Sequence, residues 1–132
     1  FKNNKNKEND LVKIAALLIH AAKIDENFTI EEEKIIEETL LNLGANKENV
    51  KQIIIESKKI EDKANQILEF TKEVKNMEEN DKIKIIETLW RIIYSNKDAD
   101  IYETSLMRRL AGLLYIDNKT MGDIKEKIKN NS

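Results

Sequence analysis

From Leu11 onward, apolar positions recur at intervals of three and four. Leu11, Ile14, Ala15, Leu17, Leu18, Ala21 and Ala22 share one side of a helix and spread over much of its circumference. So wide an apolar face belongs to a helix buried on most sides. Asp10 stands where an N-cap carboxylate would open it. Residues 1–9 are almost wholly Lys, Asn and Glu without periodicity, the composition of a disordered lead or linker.

A second helix is expected from Thr29 through Ile30, Ile35, Ile36, Leu40, Leu41 and Leu43, ending at Gly44, where a left-handed C-cap residue belongs. The break before it runs from Asp25 to Phe28. Asn46 caps a third helix through Val50, Ile53, Ile54 and Ser57. A fourth begins near Glu61, with Ile60, Ala64, Ile67, Leu68, Thr71 and Val74 as its stripe. Asn80 caps a fifth, whose Ile83, Ile85, Ile86, Leu89, Trp90, Ile92 and Ile93 leave little polar surface, the pattern of a central helix. Asn96 to Asp100 interrupts the pattern. A sixth helix covers Ile101 to Tyr115, and Asp117 opens a seventh through Met121, Ile124 and Ile128. Seven helices with short connections predict an all-α compact bundle forming one domain over residues 10–130.

Composition sharpens this picture. The 132 residues include 3 Gly and no Pro, so the punctuation that sheets and irregular loops require is mostly missing. Without Cys there is no disulfide, thiol nucleophile or thiolate metal site, and one His excludes the usual multi-histidine zinc centres. A net charge of −2, with both signs mixed along the chain, provides no basic field for nucleic acid. The longest apolar run, Ile14 to Ile19, is far too short to span a bilayer. The expected localisation is cytoplasmic, with membrane association only through a segment upstream of Phe1.

The chain also matches itself. The offset that sets Leu18 on Leu89 sets Asp25 on Asn96, Thr29 on Asp100, Glu32 on Glu103, Ile36 on Met107, Leu43 on Leu114 and Ile53 on Ile124. This predicts an internal repeat of helical hairpins in pseudo-twofold pairing around the two most apolar helices. The spacing of Asp25 to Glu32 beneath Leu17 to Lys23, and of Asn96 to Glu103 beneath Leu89 to Tyr94, resembles the doubled A-x-x-D-G-x-(hydrophobic)-x-x-x-E signature of TerB-like domains. Arg108 to Asp117 resembles that family's R-x-(I/L)-A-x-L-L-G-(I/L)-S stretch. The likeness covers about residues 10–128. Glu26 and Lys97 stand where the family usually has Gly, and Asn96 where it usually has Asp.

The resemblance implies an all-α domain without established catalysis. It links the domain to tellurite or other chemical stress and to membrane-associated complexes, with metal bound by the paired acidic residues. TerB-like domains are related to the N-terminal domain of the DjlA co-chaperones. The J domain of those proteins carries a His-Pro-Asp motif that a chain without Pro does not contain.

The candidate chemistry falls in two groups. Asp25, Glu32 and Glu103 offer carboxylates for Ca²⁺ or Mg²⁺ if the repeat brings both loops together. The same three would be the working residues of a metal-dependent enzyme. Thr29-x-x-Glu32 and Asp100-x-x-Glu103 equally fit capping boxes, which explain the spacing without an ion. The EF-hand register fails, since its twelfth position from Asp25 is Ile36 rather than Glu. Trp90 and Tyr94, four apart on one helix, with Arg91, Arg108 and Arg109, the only arginines, form the second group. Aromatics and guanidinium groups of this kind make partner-binding surfaces. Core packing of the aromatics and solvation of the arginines are the alternative readings. His20, with no second His or Cys, reads as a boundary residue, and the run Ile53 to Ile55 is expected to leave one isoleucine exposed.

Overall fold

In the computed structural model, the described residues fold into seven helices. They are α1 (Lys2–Ala22), α2 (Ile30–Asn42), α3 (Val50–Lys63), α4 (Leu68–Lys75), α5 (Glu79–Ser95), α6 (Ile101–Leu113) and α7 (Asn118–Asn130). The structure describes residues 2–23, 28–63, 68–95 and 101–130, the side chains of 2–8, 68–69 and 101–104 excepted. Among the described residues there is no strand, as the composition predicts.

Two helices carry the core. In α1, Ile14 to Ile19 are all buried, because no polar residue interrupts that run and α2, α3, α4 and α5 all pack around it. In α5, Ile85, Ile86, Leu89, Ile92 and Ile93 are completely buried between α1, α2 and α7. Each such aliphatic side chain contributes roughly 1.5–3 kcal/mol on burial. Few polar groups enter this interior, and most have a partner. The hydroxyls of Thr39 (α2) and Thr88 (α5) lie 2.6 Å apart, and each also faces a carbonyl of its own helix, Ile35 at 3.0 Å and Lys84 at 2.8 Å. With one hydrogen apiece, one hydroxyl donates across the helix interface while the other donates to its backbone carbonyl.

Several helix boundaries differ from the sequence expectation, and α3 starts at Val50 rather than directly after Asn46. α1 starts at Lys2, so Asp10 lies inside the helix instead of capping it, and the backbone of residues 2–9 continues the helix with no Gly or Pro to stop it. α3 runs past Ser57 to Lys63, which places Glu61 in its last turn rather than at the start of α4. α5 begins at Glu79, one residue before Asn80, and α6 ends at Leu113. The α3 extension has a visible consequence: Glu61 reaches α1, where its carboxylate lies 2.6 Å from Lys23 Nζ and 3.3 Å from His20 Nδ1. Hydrogen bonds that Lys23 donates to Glu61 and then to Asp62 raise its pKa above the ordinary value. His20 is thus the boundary residue that its isolation suggested.

The turns after α2 and α6 share one hydrogen-bond pattern. After α2, Gly44 N–H donates to Leu41 O and Ala45 N–H to Leu40 O; after α6, Tyr115 N–H donates to Gly112 O and Ile116 N–H to Ala111 O. Both are Schellman turns. Asn46 and Asp117 follow at equivalent places, and their carbonyls accept from Val50 N–H and Met121 N–H. This turn lies at the offset that relates Leu18 to Leu89 in the sequence. A twofold relation between whole hairpins remains an expectation from sequence.

Candidate functional site

The acidic group is only partly in view. Asp25 lies outside the described residues, as does the side chain of Glu103. Glu32 is completely buried and closes a capping box: its Oε1 accepts from Thr29 N–H at 2.8 Å, and Thr29 Oγ1 accepts from Glu32 N–H at 3.1 Å. One carboxylate oxygen is therefore committed to the start of α2, where three consecutive glutamates, Glu31, Glu32 and Glu33, also complement the helix dipole. Among the described residues, no cluster of three or more His, Cys, Asp or Glu is placed to hold a metal.

The aromatic group is fully in view and lies on α5 facing α7. The rings of Trp90 and Tyr94 stack with centroids 5.9 Å apart and planes 25° apart. Trp90 is buried, Tyr94 half-buried, so the indole serves the core and the phenol its edge. Burial raises the Tyr94 pKa, reinforced by the nearby Glu126 carboxylate.

Two clefts flank this stack. The first, of about 170 Å³, lies between α5, α6 and α7. Trp90, Met107, Ala111 and Met121 supply its apolar wall, and Arg108, Lys125 and the backbone of Gly122 its rim. Lys125 Nζ rides 5.4 Å above the indole ring. The indole Nε1 is buried without an acceptor, a state that costs on the order of 1–3 kcal/mol. The second cleft, of about 580 Å³, lies between α2, α5 and α7, with Glu31, Arg91, Tyr94 and Lys127 in its wall. Here the cations are paired, Arg91 with Glu38 at 3.2 Å and Lys127 with Glu87 at 2.9 Å.

Of the five residues in the aromatic and arginine group, four therefore line these clefts: Trp90 and Arg108 the first, Arg91 and Tyr94 the second. Arg109 is exposed and lines neither. Neighbours on a helix point about 100° apart, so Arg108 and Arg109 cannot both face one cleft. Sequence reasoning did not identify Lys125, Gly122 and Met121 as members of the site. The signal lay in the stripe Met121, Ile124 and Ile128, which docks α7 on α5 and carries the intervening residues to the cleft rim. Of the Ile53 to Ile55 run, Ile55 is the exposed member.

The family model described as tellurite resistance protein TerB matches residues 11–126, nearly the whole bundle. No curated protein and no solved structure gives a significant match. A match of that extent, over an all-helical fold with buried α1 and α5, shows that the chain belongs to the TerB family.

Proposed function

We propose that the chain is a non-enzymatic TerB-family binding module whose partner is another protein, docked on the α5–α7 side within a bacterial stress-response or envelope-associated complex. The observation that carries this reading is the Trp90–Tyr94 stack seated between two clefts with cationic residues in both walls. Aromatic and arginine side chains at the margin of a groove are the types that dominate protein-binding energy. The Arg91–Glu38 and Lys127–Glu87 pairs are exposed at one or both ends, and such pairs hold with only about 0–1 kcal/mol, so partner carboxylates can replace them at little cost.

The test is site-specific photo-crosslinking of the full chain in its native cells, with the crosslinker placed at Lys127 and, as a control, at Lys51 on the exposed face of α3. A discrete adduct from Lys127, absent from Lys51 and lost with Arg91→Glu, is expected. Equal adducts from both positions, or none from Lys127, would remove the reading.

A further inference from the structure

We infer that the cleft beside Trp90 binds the C-terminal residue of a partner chain, its free carboxylate held by Arg108 and Lys125 and its apolar side chain seated on Met107, Ala111 and Met121. This rests on reading the α5–α7 side as the docking side.

Four observations carry it. The cleft is too small for a cofactor or a drug-sized molecule, which take roughly 300–1,000 Å³, whereas about 170 Å³ suits one medium side chain. Its lining contains two cations and no Asp or Glu, and neither Arg108 nor Lys125 has a carboxylate partner among the described residues. This contrasts with the second cleft, where Arg91 and Lys127 are both paired. The Trp90 N–H in the wall lacks an acceptor. Under this assignment a ligand oxygen supplies the acceptor that the free chain does not.

The fourth observation is Gly122, inside α7. Glycine in a helix interior costs about 1 kcal/mol relative to alanine. A Cβ at 122 meets no atom within 4 Å, as is also true at Gly112 of α6, but only Gly122 of the two lines the cleft. Any larger side chain at that place would stand in the mouth of the cleft.

The occupant follows from the combination. An internal Asp or Glu brings a charge without an apolar branch, and an internal Leu the reverse. A terminal leucine-like residue carries both on one Cα, and guanidinium and ammonium groups are the donors that recognise such a carboxylate.

Trp90 is the only tryptophan, so its fluorescence and its single indole N–H resonance report on this cleft alone. The full chain is titrated with N-acetyl-leucine, N-acetyl-leucinamide and inorganic phosphate. Saturable binding of the acid is expected, with a downfield shift of the indole proton and an affinity about tenfold or more above that of the amide. Arg108→Gln and Lys125→Gln should each weaken it severalfold. Gly122→Leu should abolish it while raising the melting temperature, which separates blockage from misfolding. No response to the acid, an equal response to acid and amide, phosphate binding as tight as the acid, or binding that survives Gly122→Leu would each overturn the assignment. If the crosslinks from Lys127 form while these probes fail, docking on this side stands and the pocket assignment alone falls.

Discussion

Tyr115 holds, at φ 58°, the backbone place that Gly44 fills at φ 114°: each is the left-handed residue that closes a Schellman turn. Glycine meets no steric penalty there, whereas a side chain costs roughly 1–2 kcal/mol. Tyr115 is 70% exposed, and its ring offsets part of that cost by lying 4.8 Å beneath Lys75 Nζ. Tyr115→Gly should therefore stabilise the chain by about 0.5–1 kcal/mol, and Gly44→Ala should destabilise it by about 1 kcal/mol. Urea unfolding of both variants checks the opposite signs.

The capping box makes a second prediction. Thr29→Ala should cost about 1 kcal/mol, whereas Glu32→Gln should keep most of the stability because an amide oxygen still accepts from Thr29 N–H. Thermal melts with and without Ca²⁺ or Mg²⁺ then decide whether Asp25, Glu32 and Glu103 hold an ion. A cation-induced rise in melting temperature in the wild type, missing from Glu32→Gln, places one there. The same curves for both leave Glu32 as a cap.

Lys82 is buried on α5, and its ammonium donates to Leu114 O at 3.1 Å, fixing the end of α6. Lys82→Met fills the same channel but leaves that carbonyl without its donor. The expected loss is about 1–3 kcal/mol. Hydrogen exchange should show faster opening in the last turn of α6 with little change in α3.

The Thr39–Thr88 contact should behave as a coupled pair. Thr88→Val alone removes a donor and acceptor facing Thr39, while the double change Thr39→Val with Thr88→Val replaces a polar contact by an apolar one of similar shape. The double variant is expected to be less destabilised than the sum of the singles. A double-mutant cycle showing simple additivity would mean that the 2.6 Å contact adds nothing across the α2–α5 interface.

Asp117 gives a pH signature. Thr120 N–H donates to its carboxylate at 2.6 Å and lowers its pKa below the ordinary value. A lowered folded pKa favours the folded state above the unfolded value of about 3.9, and that contribution disappears as pH falls through the folded value. Asp117→Asn keeps an acceptor for Thr120 but does not titrate. The stability gap between wild type and variant should shift toward the variant as pH drops below about 4, read from melts across the acid range.

Some caps and stops were legible in the sequence because their chemistry is local, although Asp10 and Asn80 lie inside helices instead of capping them. Thr29 with Glu32, Gly44 and Asp117 each act within a few residues, and each sits where its side chain or backbone freedom requires. The continuation of α1 back to Lys2 and of α3 to Lys63 was not legible, since neither stretch contains a residue that forces or forbids a boundary. The first cleft was half legible. Trp90 and Arg108 announce themselves by type, but Lys125 and Gly122 join them only through the docking of α7 on α5, a relationship that no local pattern encodes. Glu32 shows the converse limit: its spacing fits both a cap and an ion ligand, and the placement of one oxygen on Thr29 N–H shows the cap without bearing on an ion.

The burial of α1 beneath α2, α3, α4 and α5 has a consequence for how the protein is made. Every helix that covers Ile14 to Ile19 is translated after it. At about 5–20 residues per second, the nascent chain holds its most apolar run uncovered for several seconds before α5 leaves the ribosome. The most buried segment of the finished bundle is thus the one that is most in need of a holding chaperone during synthesis.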